Sequence, residues 1–244
     1  MSKRAKAKRG PALPVPLSFG RTLVIAPHPD DEVLGAGGTI ARLTAEGERV
    51  FVAIVTEGRP PAFTSESIAL VRSEANQAHA LLGVEETFWL GFEAAGLDLA
   101  GHSAVNSALS DLVRLLSPET VLLPFPGDIH RDHQLAFLSA LVASRPHQES
   151  FPHRILAYET LSETNWNAPY LTPGFTPNVF VDISSYFEKK LEAMQCFASQ
   201  IRSPPHERST RTLSALAQLR GATVMSEAAE AFVLVRWMLP QTRS

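Results

Sequence analysis

RTLVIAPHPDDE, residues 21–32, couples a short apolar run to a tight cluster of imidazole and carboxylate groups. Residues 21–26 show no polar alternation and stop at Pro27, as a parallel strand covered on both faces would. Beyond the cluster, GAGG (35–38) reads as a Gly-rich turn into a helix that stops at Gly47. The same alternation continues outward. RVFVAIVT (49–56), TFWL (87–90), TVLLP (120–124), RILAYE (154–159) and VFVD (179–182) read as strands. Residues 65–82, closed by Gly83 as a C-cap, residues 102–116 and residues 186–200 have helical spacing. Residues 160–178, rich in Asn, Pro and Thr, read as loop over the sheet. Strands that alternate with helices at this spacing predict an α/β fold, a mainly parallel sheet with helices on both faces. No repeat and no long linker divides the chain, so a single domain is expected over 20–240, preceded by a flexible, Pro-containing tail over 1–19.

Composition narrows the function classes. The 244 residues are 45% hydrophobic and 19% charged, enough to build a core. Net charge is −3, but residues 1–10 hold five Lys/Arg and no acid, which leaves −8 on residues 11–244. An acidic body argues against a nucleic-acid surface. Pro11, Pro14 and Pro16 follow the basic stretch where a secretory signal would need an apolar run. No stretch approaches the ~18 apolar residues of a membrane span. The single Cys196 allows neither an intrachain disulfide nor a thiolate zinc finger, so a reducing, cytoplasmic compartment is expected and Cys196 itself is read as a core residue.

Two clusters carry the chemistry. The first is APHPDDE (26–32), and the second is DIHRDH (128–133), behind TVLLP and FPG. Loops beyond the carboxyl ends of parallel strands form the ligand crevice, so both clusters are expected on one rim of the sheet. His28 and Asp31 are three apart and share one side of a turn, Pro29 suits its first position, and Asp30 projects differently. His130 and His133 repeat that spacing with Asp132 between them. Two imidazoles and a carboxylate with open positions suit a catalytic zinc, although Fe2+ or another divalent ion has the same donor requirements. Zinc brings water towards pKa ~7, and a neighbouring carboxylate can complete the deprotonation. Spacing alone does not decide which of His130 and His133 is the ligand.

APHPDDEVLGAGGT together with HRDH resembles the signature pair of the LmbE-like, PIG-L-type N-acetylglucosaminide deacetylases. VRSEANQAHALLGV (71–84), WLGF (89–92), PNVFVDIS (177–184), KKLEAM…SQ (189–200), RGA (220–222) and AEAF (229–232) are similar to further stretches of that family, so the resemblance spans roughly residues 20–235. It implies a Rossmann-like fold and zinc-dependent removal of an N-acetyl or related N-acyl group from an amino sugar or glycoconjugate. Position by position, it implies His28, Asp31 and His133 as zinc ligands and Asp30 as general base. It implies a protonated His130 as stabiliser of the oxyanion, Asp132 as the residue that tunes His130, and Arg72 as a substrate contact. Where many members carry an Asp-containing turn after WLGF, this chain has Glu93-Ala94-Ala95-Gly96, so the acidic sugar contact there falls to Glu93 or is absent. Before HRDH stands Pro126-Gly127-Asp128 rather than the Gly-rich run of the thiol-precursor deacetylases.

The same residues admit other readings. Arg72 also suits a surface arginine paired with a nearby acid. Glu32 reads as a first-turn acid favoured by the helix dipole. GAGG is not GxGxxG, so its expected task is to let backbone pass close to the site rather than to bind a dinucleotide. His79, His102, His147, His153 and His206 lack partners at ligand spacing and are read as non-catalytic. Trp166, Tyr170, Asn165 and Asn167 suit sugar contacts, but a plain surface loop is the preferred reading. A 2-His-1-carboxylate Fe(II) oxygenase shares the ligand set but normally uses a β-rich barrel. A non-catalytic metal-containing sugar-binding protein would need neither Asp30 nor His130. A homo-oligomer is compatible with the sequence.

Overall fold

The computed structural model describes residues 18–239. The basic stretch 1–10 and nearly all of the tail expected over 1–19 lie outside the described residues. Seven strands, β1 Thr22–Ala26, β2 Val50–Glu57, β3 Glu86–Glu93, β4 Thr120–Pro124, β5 Arg154–Tyr158, β6 Val179–Asp182 and β7 Ala229–Trp237, form one sheet in the order β3-β2-β1-β4-β5-β7-β6. Six helices connect them: α1 Asp31–Ala45, α2 Ser65–Leu82, α3 His102–Leu116, α4 Arg131–Ala143, α5 Phe187–Cys196 and α6 Thr210–Thr223. All pairings are parallel except those of β7 with β5 and β6.

The central strands bury both faces, which is why their sequences lack polar alternation. Val24, Val52, Ile54, Leu122 and Leu156 point into a core shared with α1, α2, α5 and α6. Leu23, Ile25, Phe51, Ala53, Val121 and Ile155 point into a second core with α3 and α4. The chain reverses its winding at β1, whose neighbours are β2 and β4. The crevice between the carboxyl ends of β1 and β4 is therefore the place where such a fold binds ligands.

Three expectations need correction. GAGG is not a turn: it lies inside α1. A Cβ on Gly35 would stand 2.2 Å from the Tyr158 ring, and one on Gly38 2.6 Å from Ile183. These glycines let the helix pack close on its neighbours, at some cost in helix propensity. The helix expected over 186–200 ends at Cys196, which is half-buried at the core margin, not inside it. Periodicity also assigns no element to α4, α6 or the antiparallel β7; for α6 and β7, the polar run 203–212 and the Gly, Ser and Glu residues within 221–230 interrupt the apolar pattern around them.

A buried ion pair ties the last strand to the first helix. Glu230 of β7 accepts hydrogen bonds from the amides of Gly38 and Thr39 at 2.9 and 2.7 Å. Its partner Lys190 of α5, at 2.5 Å, also donates to the Leu34 carbonyl at 2.9 Å. Both charges are thereby paired and hydrogen-bonded, the condition under which burial of an ion pair is tolerated.

Candidate active site

The two clusters meet at the β1/β4 crevice. Pro27–Asp30 link β1 to α1, and the Pro27 carbonyl is pinned to β2 by the amide and hydroxyl of Thr56 at 3.0 and 2.8 Å. Asp30 caps α1 with a left-handed backbone, φ 112°. A non-glycine residue there stores on the order of 1–3 kcal/mol of strain. The Asp30 amide donates to the Glu32 carboxylate at 3.2 Å, and the other Glu32 oxygen meets His79 Nε2 at 3.0 Å. His79, without a partner in the sequence reading, is thus a buried brace behind the loop rather than a ligand.

His28, Asp31 and His133 each bring a donor atom within 4.8 Å of the others. The Asp31 carboxylate lies 3.3 Å from His28 Nδ1 and 3.2 Å from His133 Nε2. The latter contact, to Asp31 Oδ2, is not a hydrogen bond, and both His133 Nε2 and the other oxygen, Asp31 Oδ1, are buried without a hydrogen-bond partner. Such atoms are costly in a folded interior unless something else satisfies them. Two imidazoles and one carboxylate with orphaned donor atoms fit a divalent cation of the zinc type. His133 is oriented for this by its other nitrogen, Nδ1, which is 2.8 Å from the Asp128 carboxylate. Asp128 in turn accepts from Thr164 at 2.5 Å. A carboxylate behind a ligating imidazole fixes its tautomer and orientation.

Charge in this site is dense and little solvated. Burial works against a charged His28, but the carboxylates of Asp132 and Asp31 outweigh it and raise its pKa to about 9. Burial opposes charge on His133 too, and Asp31 and Asp128 raise it to about 10. Asp31 is held well below the usual carboxylate range: burial pushes up, but His133 and His28 pull harder downward. Burial pushes Asp30 up to about 8, reinforced by Asp31 and Glu32 and opposed by Arg208. Arg208, from the segment ahead of α6, pairs with Asp30 at 3.0 Å and donates to Ser162 at 2.9 Å.

The second cluster is arranged differently from the sequence reading. His130 caps α4 and its Nδ1 accepts the Asp132 amide at 3.1 Å. That bond places the proton of a neutral imidazole on Nε2. Burial and the neighbouring His28 lower the His130 pKa, which disfavours the imidazolium that the family resemblance implies. The Asp132 carboxylate does not hydrogen-bond His130. It meets His28 Nε2 at 3.1 Å and accepts the amides of Ala95 and Leu97 at 2.7 and 3.2 Å. The first turn of α4 points it at the loop after β3, where those amides await an acceptor.

A cavity of about 480 Å³ opens over these groups. His28, Asp30, His130, Glu163 and Arg208 line its floor, and Arg72 lines its wall. Arg72 lines the cavity and also has an acidic neighbour: it lies 3.6 Å from Glu57 and stacks on Trp89 at 4.5 Å. Glu93 is not among the lining residues, whereas Glu57 is. Burial lifts Glu163 to about 7. Trp166 and Tyr170 are exposed and line no part of this cavity. Asp128, Arg208, Glu57 and Glu163 were not singled out as functional from the sequence. Only Asp128 had a local signal, a carboxylate five residues before an imidazole.

The family model PIG-L, GlcNAc-PI de-N-acetylase, matches residues 23–144, which include both clusters. The chain belongs to the PIG-L family. Its relatives in this family include a diacetylchitobiose deacetylase of Thermococcus kodakarensis, 32% identical over 74% of this chain and 70% of that protein. Among solved structures, the N,N'-diacetylchitobiose deacetylase of Pyrococcus horikoshii superposes with a TM-score of 0.71 at 25% identity, covering 88% of this chain and 83% of the other. A 4-carboxy-2-hydroxymuconate hydratase of Pseudomonas putida superposes with a TM-score of 0.73 at 23% identity, over 92% and 100% of the two chains. That last likeness shows the PIG-L fold alone. The LmbE-like resemblance and the single α/β architecture read from the sequence are therefore established, and the chain is a deacetylase of this family. Among the described residues no helix is long and apolar enough to cross a membrane.

Proposed function

We propose that the chain hydrolyses the N-acetyl amide of an amino sugar in a zinc-dependent reaction. The observation that carries this reading is the pair of buried, partnerless donor atoms, Asp31 Oδ1 and His133 Nε2, beside a carboxylate base at the floor of an open cavity. His28, Asp31 and His133 would hold the ion. When bound, zinc supplies a Lewis acid that polarises the amide carbonyl and acidifies water.

The chain's own groups do the rest. Asp30, held towards the cavity by Arg208, takes a proton from water as it attacks the carbonyl carbon. The cation and Arg208 together favour the ionised carboxylate against the burial that raises it. His130 donates from Nε2 to the developing oxyanion, a contact of a kind that contributes roughly 10²–10³ in rate. Asp30 then returns its proton to the departing nitrogen as the C–N bond breaks, which leaves acetate and a free amine. Asp132 holds His28 and the 94–97 loop in place, and Arg72 presents a cation to the substrate from the wall. A cytoplasmic setting accompanies this reading through the single thiol.

An iron oxygenase on a β-rich barrel does not match the parallel sheet, and a pure binding protein has no use for a base beside the ion. Release of amine from a panel of N-acetylated sugars by the zinc-loaded protein tests the reading. Product formation that is lost on chelation is expected. No product from any sugar, with zinc shown to be bound, overturns it.

A further inference from the structure

The wall of the cavity differs in character from its floor. Outward from the histidines it is built by Phe63, Ile68, Leu70, Val71, Trp89 and Ala94. Phe63 and Leu70 are 44% and 51% exposed, so apolar surface stands open to solvent at the mouth of the site. Several of the polar groups beside them face other protein groups. Arg72 faces Glu57 at 3.6 Å and covers the Trp89 ring at 4.5 Å, the surface on which a sugar would stack. The Ser199 hydroxyl and amide donate to buried Glu74 at 2.6 and 2.9 Å, and the Gln200 amide nitrogen donates to Ser199 at 2.9 Å.

A second sugar ring on this wall would bury hydroxyls against carbon with few free partners, and each unpaired polar group costs free energy. An apolar group there removes its own surface and that of Phe63 and Leu70 from water. We infer that the part of the substrate attached to the amino sugar is an apolar, alkyl or aryl, aglycone that packs on the α2 face of the cavity. This rests on the N-deacetylase reading above and adds to it the class of the leaving portion's neighbour, without altering the chemistry at the amide.

Methyl and hexyl glycosides of N-acetylglucosamine, in both anomeric forms, and N,N'-diacetylchitobiose are compared as substrates of the zinc-loaded protein by acetate release. The expected result is a kcat/KM at least about tenfold higher for the hexyl than for the methyl glycoside of the better anomer, carried by KM, with chitobiose below the hexyl compound. Leu70→Ser and Phe63→Ser, both at exposed positions, are each expected to cut the hexyl-to-methyl ratio severalfold. A hexyl-to-methyl ratio near one, a preference for chitobiose over the hexyl glycoside, or a ratio unmoved by both substitutions overturns the inference while leaving the deacetylase reading intact. Absence of acetate from all of these compounds, with zinc bound, overturns both.

Discussion

His133 and Asp128 are joined through Nδ1 at 2.8 Å, five residues apart, with no solvent access to either side chain. The imidazole therefore keeps its Nε2 turned towards Asp31 and His28. Without that carboxylate the ring loses both its fixed tautomer and its orientation. Asp128→Ala is expected to weaken zinc affinity about 10- to 100-fold, read by competition with a chelator of known strength. Unchanged affinity would mean that Asp128 is only part of the Thr164 hydrogen-bond network.

Metal uptake should displace protons. His28 and His133, at about 9 and 10, are charged at neutral pH in the metal-free protein, and a ligating imidazole must be neutral. Zinc binding at pH 7.5 is expected to release about two protons from these rings, with a further contribution from Asp30. Affinity accordingly rises with pH up to about 10. Calorimetry in buffers of different ionisation enthalpy measures the number, and a value near zero contradicts the assignment of these two ligands.

Asp30→Asn keeps the size of the side chain but removes the base. Turnover is expected to fall about 10²- to 10⁴-fold while bound zinc, measured by metal analysis, stays stoichiometric. Near-normal turnover would reassign the base, with Glu163 the next carboxylate on the cavity floor.

Arg208 lowers the Asp30 pKa that burial raises. Removing it in Arg208→Leu lets Asp30 hold its proton to higher pH. The acidic limb of the kcat profile is expected to move to higher pH, and Arg208→Lys to restore part of the shift. A profile that falls in height without moving would give Arg208 a role in substrate binding alone.

Gly35→Ala tests the packing of α1. Alanine is the better helix former by about 1 kcal/mol, yet its Cβ would lie 2.2 Å from a Tyr158 ring that is buried and bonded to the Ile25 carbonyl at 2.7 Å. A net loss of about 1–3 kcal/mol is expected, measured by denaturant unfolding. A gain in stability would show that the ring has room to retreat.

Sequence patterning located most of this architecture where a segment's environment is uniform. The strands of residues 22–26 and 120–124 are apolar throughout because both faces are buried, and α3 shows a clear stripe because only one face is. The donor clusters were legible because each follows such a strand. Arg208 was not, since its partner Asp30 lies 178 residues earlier and only the fold brings them together. The GAGG segment was misread because a glycine chosen for close helix packing looks, in sequence, like one chosen for a turn. The direction of the Asp132 side chain depended on amides of Ala95 and Leu97, which no local pattern reveals.

The ion pair of Lys190 and Glu230 bears on the order of events during synthesis. The helix that opens with Asp31 receives polar contacts at Leu34, Gly38 and Thr39 from residues that leave the ribosome about 150 to 200 positions later, roughly 8 to 40 s at ordinary elongation rates. Until then the first half-site sits on a helix whose inner face lacks its charged partners. A nascent chain stalled between residues 144 and 190 would carry both donor clusters without the elements that hold α1 in its final seat, so competence to take up metal is expected to arrive late, with the final strand.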